Sequence, residues 1–159
     1  MNGQARLKAV LASVCKSMDQ TRRNLTLLLP ALFAAGASAD TDVLASKCYA
    51  FDTLAVKTNP ANHMEIREVF KGRTQTGCPL ALHISTLPPG QMPHPPHHHV
   101  HEELMLIKEG RLQFTIAGQT STVGPGSAVY INSNEQHGMK NVGETPAQYF
   151  VVEIGAESA

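Results

Sequence analysis

The stretch that most restricts this chain is HHHVHEELMLIKEG, from His97 to Gly110. Its apolar half, LMLI, is a strand sequence that needs burial, and it follows directly on four histidines and two glutamates. On a β-strand side chains alternate, so His97, His99 and Glu103 point to one face within about 20 Å of strand. His101 has the same parity, and parity alone does not choose among the four. Imidazoles and a carboxylate turned into one interior are costly to bury, and a divalent metal ion offsets that cost. A fourth donor has to come from elsewhere, and His137 is the well-placed residue downstream. A solvated metal-scavenging tract is the other reading of a His- and Pro-rich run. It leaves unexplained both the apolar strand that follows and the glutamate set within the pattern.

The rest of the body reads as short strands separated by turn formers. MEIREVFK after His63 suggests a first strand, and LALHISTL (Leu80 to Leu87) alternates with Leu80, Leu82, Ile84 and Thr86 on one face. Ala81, His83, Ser85 and Leu87 share the other, and the lone His83 is expected on the strand surface or packed, not as a ligand. Residues 99–107 and 111–117 are expected to form a hairpin around Lys108-Glu109-Gly110, with glycine at the positive-φ position. Gly118 and Gly124-Pro125-Gly126 mark further corners, and SAVYI, residues 136–142 and AQYFVVEI complete the set. Nothing from residue 63 onward sustains a 3.6-residue period. Many short strands with Gly/Pro/Asn corners every eight to twelve residues or so predict an all-β sandwich or barrel over residues 63–155.

Ahead of this body the composition changes. Residues 1–39 carry five Lys/Arg against one acid, and the remaining chain carries eight against twelve, so a formal net charge of zero conceals a mildly acidic body. Such a body has no electrostatic footprint for nucleic acid, and no nucleic-acid partner is expected. Arg22-Arg23, an apolar run from Leu25 to Ala35 and Ala37-Ser38-Ala39 before Asp40 fit, in order, an export signal peptide over residues 1–39. Thr21-Arg22-Arg23-Asn24-Leu25 resembles a twin-arginine signal, with a Sec leader as the alternative. The expectation is a periplasmic or secreted bacterial protein, with no membrane attachment once the leader is removed. Residues 40–62 lack a sustained period and read as an N-terminal arm of short extended pieces, able to dock on a partner subunit. Cys48 and Cys78 permit one disulfide closing a loop of about thirty residues, or two separate thiols.

At this point the residues resemble a family. Gly90, then His97-x-His99-x3-Glu103-x6-Gly110, resembles the first cupin motif, with six residues in place of five between Gly90 and His97. Gly118, Pro125-Gly126 and His137-x3-Asn141 resemble the second, with Gly124 where the family often has proline. The resemblance implies a single double-stranded β-helix, or jelly-roll barrel, of about six to eight strands. It implies that His97, His99, Glu103 and His137 hold one metal ion, and it makes His101 a neighbour of the ligands. His94 and His98 are expected to face solvent.

Three imidazoles and a carboxylate suit Mn²⁺, Fe²⁺, Ni²⁺, Zn²⁺ or Cu²⁺. The family implies dioxygenases, decarboxylases, isomerases and lyases acting on small molecules. A quercetinase-like dioxygenase is the first version to test. The alternatives are a non-catalytic module that captures a small carboxylate or sugar through the metal, and a structural metal domain. Met105, Ile107, Phe114 and Met139 would line an apolar interior, while His101, Tyr130 and Glu135 are the nearby candidates for proton transfer. Leu104 and Leu106 fall on the face opposite the ligands and need a cover from the arm, a second sheet or a second subunit. The expected assembly is a homodimer, which analytical ultracentrifugation checks; a concentration-independent monomer rejects it.

Overall fold

The computed structural model describes residues 42–155; the expected leader, residues 1–39, lies outside the described residues. Their strands are β1 (Lys57–Thr58), β2 (Glu65–Arg73), β3 (Pro79–Leu87), β4 (Glu102–Glu109), β5 (Leu112–Ile116), β6 (Gln119–Val123), β7 (Ala128–Ile131), β8 (His137–Asn141) and β9 (Ala147–Ile154). They pair antiparallel into a large sheet, in the order β1-β2-β3-β9-β4-β7, and a small one, in the order β6-β5-β8. The architecture is the all-β jelly roll.

Strand alternation decides what lies between the sheets. From the large sheet, Leu87, Met105, Ile107, Val129, Ile131, Ala147, Tyr149 and Val151 are buried, all at odd-numbered positions. From the small sheet, Leu112, Phe114 and Met139 meet them. Burial of a side chain of this size contributes roughly 1.5–3 kcal/mol, so register is tightly specified wherever these residues face in.

Two expected connections differ. The turn at Lys108-Glu109-Gly110 does not close a hairpin: β4 lies between β9 and β7, whereas β5 belongs to the other sheet. The chain crosses there from one sheet to the other. Gly110 has φ 85°, and a Cβ on it would stand 2.5 Å from the Cα of Ala147, so both conformation and space demand glycine. The two-residue hairpin instead joins β5 to β6 through Ala117 and Gly118, at φ 48° and 80°, the left-handed pair of a type I′ turn.

The histidine run is the second difference. A strand beginning at His97 was the expectation, but β4 begins at Glu102, and residues 98–101 have no strand pairing. The loop from Pro88 to His101 is pinned at discrete points. Gly90 N–H donates to the Asn141 carbonyl and Asn141 N–H to that of Gln91, each at 3.0 Å. The Asn62 amide donates to the carbonyls of Met92, at 2.7 Å, and Pro93, at 3.1 Å. His97 and His137 exchange both backbone hydrogen bonds at 2.9 Å, and Asn134 N–H donates to the His99 carbonyl at 2.7 Å. Pro96 packs on Gly138, where an added Cβ would lie only 3.0 Å from the proline ring. Glycine on β8 therefore lets the loop lie against the strand.

Part of the arm lies against the barrel of its own chain. Val43 bridges to Arg73, and Phe51 lies on the outer face with the Arg67 guanidinium 4.7 Å from its ring centre. Tyr49, Phe51 and Leu54 cover part of that face beside Leu82, Ile84 and Phe150, while Leu106 stays 44% exposed. Cys48 and Cys78 are separate thiols, not a disulfide.

Asn141 ties these parts together from a fully buried position. Its amide donates to the Leu87 and Thr145 carbonyls, both at 2.9 Å, and its oxygen accepts from Gly143 N–H at 2.9 Å. Truncation strands buried backbone groups at about 1–3 kcal/mol each, less whatever water reaches them. Asn141→Ala is expected to lower unfolding free energy by roughly 2–4 kcal/mol in urea denaturation, with Asn141→Asp intermediate.

Candidate metal centre

The pinned loop and the two sheets bring their polar side chains to one place. His97 and His99 come from the loop, Glu103 from β4 in the large sheet, and His137 from the start of β8 in the small sheet. The ring centres of His97, His99 and His137 lie 4.7–5.1 Å apart pairwise. His99 Nε2 is 3.3 Å from Glu103 Oε1, and His137 Nε2 is 3.7 Å from Glu103 Oε2. Glu103 and His137 are buried; His97 and His99 are half-buried.

The orientation of two rings follows from the backbone. His99 Nδ1 lies 2.8 Å from the His101 carbonyl, and His137 Nδ1 lies 2.8 Å from that of Glu135. A carbonyl only accepts, so each Nδ1 carries a hydrogen, and in the neutral ring Nε2 is then the nitrogen that presents a lone pair. This is the arrangement that fixes a ligating histidine.

Among the described residues, four buried side-chain atoms have no hydrogen-bond partner: a carboxylate oxygen of Glu103 and one ring nitrogen each of His97, His99 and His137. Leaving them so costs roughly 1–3 kcal/mol apiece. Donors about 2.1 Å from a shared ion stand about 3–4 Å from one another. The donor atoms of His97, His99 and His137 lie within 4.8 Å of one another, and so do those of His99, His101 and Glu103. The donor chemistry and these spacings suit a divalent ion, which the cluster could hold with small side-chain adjustments.

His101 belongs to this cluster more closely than its sequence position implied. It is buried, stacks on His99 with ring centres 3.6 Å apart, and brings Nε2 to 3.6 Å from Glu103 Oε1. The other proposed proton-transfer residues are elsewhere. Tyr130 is half exposed on the outer face, its phenol pushed up to about 12 chiefly by its hydrogen bond to Glu102. Glu135 accepts from the side-chain amide of Asn132 at 3.3 Å. His94, though exposed, sets its ring against that of His97 with centres 4.1 Å apart and lines the cavity wall; His98 is exposed.

The cluster forms one side of a cavity of about 280 Å³ whose apolar wall includes Met64, Met105, Phe114, Met139 and Val151. Ile107 is in the core but not on that wall. Four polar residues at the cavity escaped the sequence reading: His83, Ser85, Tyr149 and Glu153. The parity of LALHISTL does put His83 with Ser85 and Leu87. AQYFVVEI, by contrast, is apolar on both faces, so nothing local marks Tyr149 and Glu153 as inward. The Tyr149 phenol is pushed well above its usual range, first by burial and then by the charge of Glu103, against an opposing hydrogen bond with Ser85.

Residues 83–153 match the cupin domain family model Cupin_2. The structure resembles an RmlC-like cupin from Shewanella frigidimarina at 13% identity and TM-score 0.59, covering 70% of this chain and 94% of that one. It resembles a predicted oxalate decarboxylase from Thermotoga maritima at 16% and 0.59, covering 69% and 100%. A sugar phosphate isomerase of the cupin superfamily from Silicibacter pomeroyi matches at 16% and 0.58, covering 69% and 76%. No curated protein sequence matches the chain. The family model and the shared fold support the cupin superfamily for this barrel.

Burial, then the neighbouring His94, His137, His99 and His101 rings, holds His97 down at about 4 against an ordinary value of 6.5. A depressed histidine is neutral in the fold while the unfolded chain takes up a proton. The stability it contributes is complete above pH 6.5 and declines as pH falls toward 4. Thermal melts of the chelated protein are expected to fall through that window, with a shallower fall in His97→Gln.

Proposed function

We propose that this chain is a metal-dependent enzyme acting on a small, partly apolar molecule. One divalent transition ion (Mn, Fe, Ni, Zn or Cu) is held by His97, His99, Glu103 and His137. The observation that carries the reading is the convergence of four unpartnered buried donor atoms on one cavity wall. Such an ion supplies Lewis acidity toward a substrate oxygen. The chain's own residues do the remainder. The Nδ1 hydrogen bonds of His99 and His137 hold the rings in place. The methionines and Phe114 exclude water and accept an aromatic or aliphatic body. Tyr149, kept protonated by burial, can donate a hydrogen bond to a substrate oxygen. Relatives of this fold include an isomerase and a predicted decarboxylase, which supports small-molecule chemistry in general. The dioxygenase version is tested first.

Elemental analysis of untagged protein is expected to give about one divalent transition ion per chain, and Glu103→Ala to weaken its retention at least tenfold. Ion at a hundred times its dissociation constant is expected to stabilise the fold by about 2.7 kcal/mol, lost with a chelator. Oxygen uptake with a flavonol and catechol panel on Fe-, Mn-, Ni- and Cu-loaded protein then tests dioxygenase activity. A chain that retains no ion overturns the reading; an ion without turnover but with ligand-induced spectral change leaves a binding module.

A further inference from the structure

Glu103 on β4 and Glu153 on β9 are direct cross-strand partners on the inner face of the large sheet. Like charges in that relation destabilise a sheet unless each is compensated. Glu103 has the histidine cluster. Glu153 has a separate partner, His83 on β3, whose Nδ1 lies 3.7 Å from its Oε1. The two side chains are 25% and 31% exposed, and both line the cavity that holds the four metal donors. The proposed ligand set uses neither. The fold does not require an imidazole there either: Val151, the cross-strand neighbour of His83 on the same face, is apolar and buried.

We propose that His83, positioned by Glu153, takes a proton from the molecule bound at the metal centre and returns it. This rests on the metal reading above and narrows its substrate class. The substrate carries an acidic O–H, or a C–H beside an oxygen that meets the ion, as in a catechol, a hydroxyketone or an open-chain hydroxy sugar. The O–H or C–H bond breaks and its electron pair stays on the substrate. The proton goes to His83 Nε2, and Glu153 compensates the imidazolium charge; the reverse step restores both partners. The separation of 3.7 Å is longer than a hydrogen bond, as such pairs often are before a ligand binds. Burial keeps the ring below its ordinary range, hence neutral and able to accept, although Glu153, Glu103 and Glu68 pull it upward and only His101 adds to the lowering.

The experiment uses the zinc-loaded full chain and 4-nitrocatechol, whose doubly deprotonated form has its own visible band. Zinc content and the pH midpoint of that band are measured for wild type, His83→Gln and Glu153→Gln. The expected result is an unchanged zinc content and a midpoint about one pH unit higher in His83→Gln, a tenfold loss in proton acceptance. Glu153→Gln is expected to move in the same direction. That direction is informative, because removing a negative charge would by itself favour the dianion and lower the midpoint. Midpoints that stay put or fall, with zinc retained, overturn the proposal and leave a structural ion pair. Zinc-loaded wild type that never binds the catecholate overturns the substrate class. Wild type that takes up no zinc overturns the metal reading, and the proposal with it.

Discussion

The reciprocal backbone pairing of His97 with His137 joins an irregular loop to the edge of the small sheet. Each residue thereby gains a fixed position relative to the other, although they lie forty positions apart. The two hydrogen bonds are modest in net energy, on the order of 1 kcal/mol each. Their weight lies in what they fix. The loop has no periodic structure to set its register, so placing its side chains depends on these bonds, on the contact between Pro96 and Gly138, and on the Asn62 and Asn141 anchors. With the loop so held, the rings of His97 and His99 meet Glu103 from the opposite sheet; released from β8, they would be a solvated tract.

The barrel and its site were legible to different degrees. Where one face was apolar and the other polar, as in residues 63–71 and 80–87, alternation located the strands closely. It failed at Gly110, because a positive-φ glycine serves a hairpin and a crossing between sheets equally well, and the difference lies in a distant contact with Ala147. Alternation alone brings His97, His99 and Glu103 to one face only on a continuous strand. The loop is bent, yet the three side chains and His137 still line one cavity, because tertiary pins replace the strand's own geometry. His101 could not be separated from the ligands by parity, and its stacking on His99 shows why: it occupies the same interior. His83 and Glu153 were missed for a different reason. Each sits in a mostly apolar strand, and only the pairing of β3 with β9 brings them together.

The interior carries an unusual electrostatic load for a domain this small. Glu103 and Glu153 face each other across β4 and β9, while six histidines, His83, His94, His97, His99, His101 and His137, line the same cavity. Desolvation disfavours the charged imidazole, so burial holds His97 and His83 below their ordinary range. A neutral imidazole compensates a carboxylate through its N–H dipole and adds no net charge. A dication held at this cluster would balance the charge of Glu103 beside a core of Met105, Tyr149 and Val151.

The division of the cavity then follows from which sheet contributes what. The small sheet supplies His137 together with the apolar Phe114 and Met139, whereas the inner face of the large sheet supplies every carboxylate and hydroxyl on the cavity wall: Glu103, Glu153, Ser85 and Tyr149. A molecule bound with its oxygens toward the large sheet places its apolar body against Phe114 and Met139. The reverse orientation would set oxygens against methionine and phenylalanine, where no donor meets them, at the cost of desolvating polar groups without replacement. The distribution of polar groups between the two sheets would therefore orient a bound molecule before any single contact did, with its oxygens toward the large sheet and its carbon toward Phe114 and Met139.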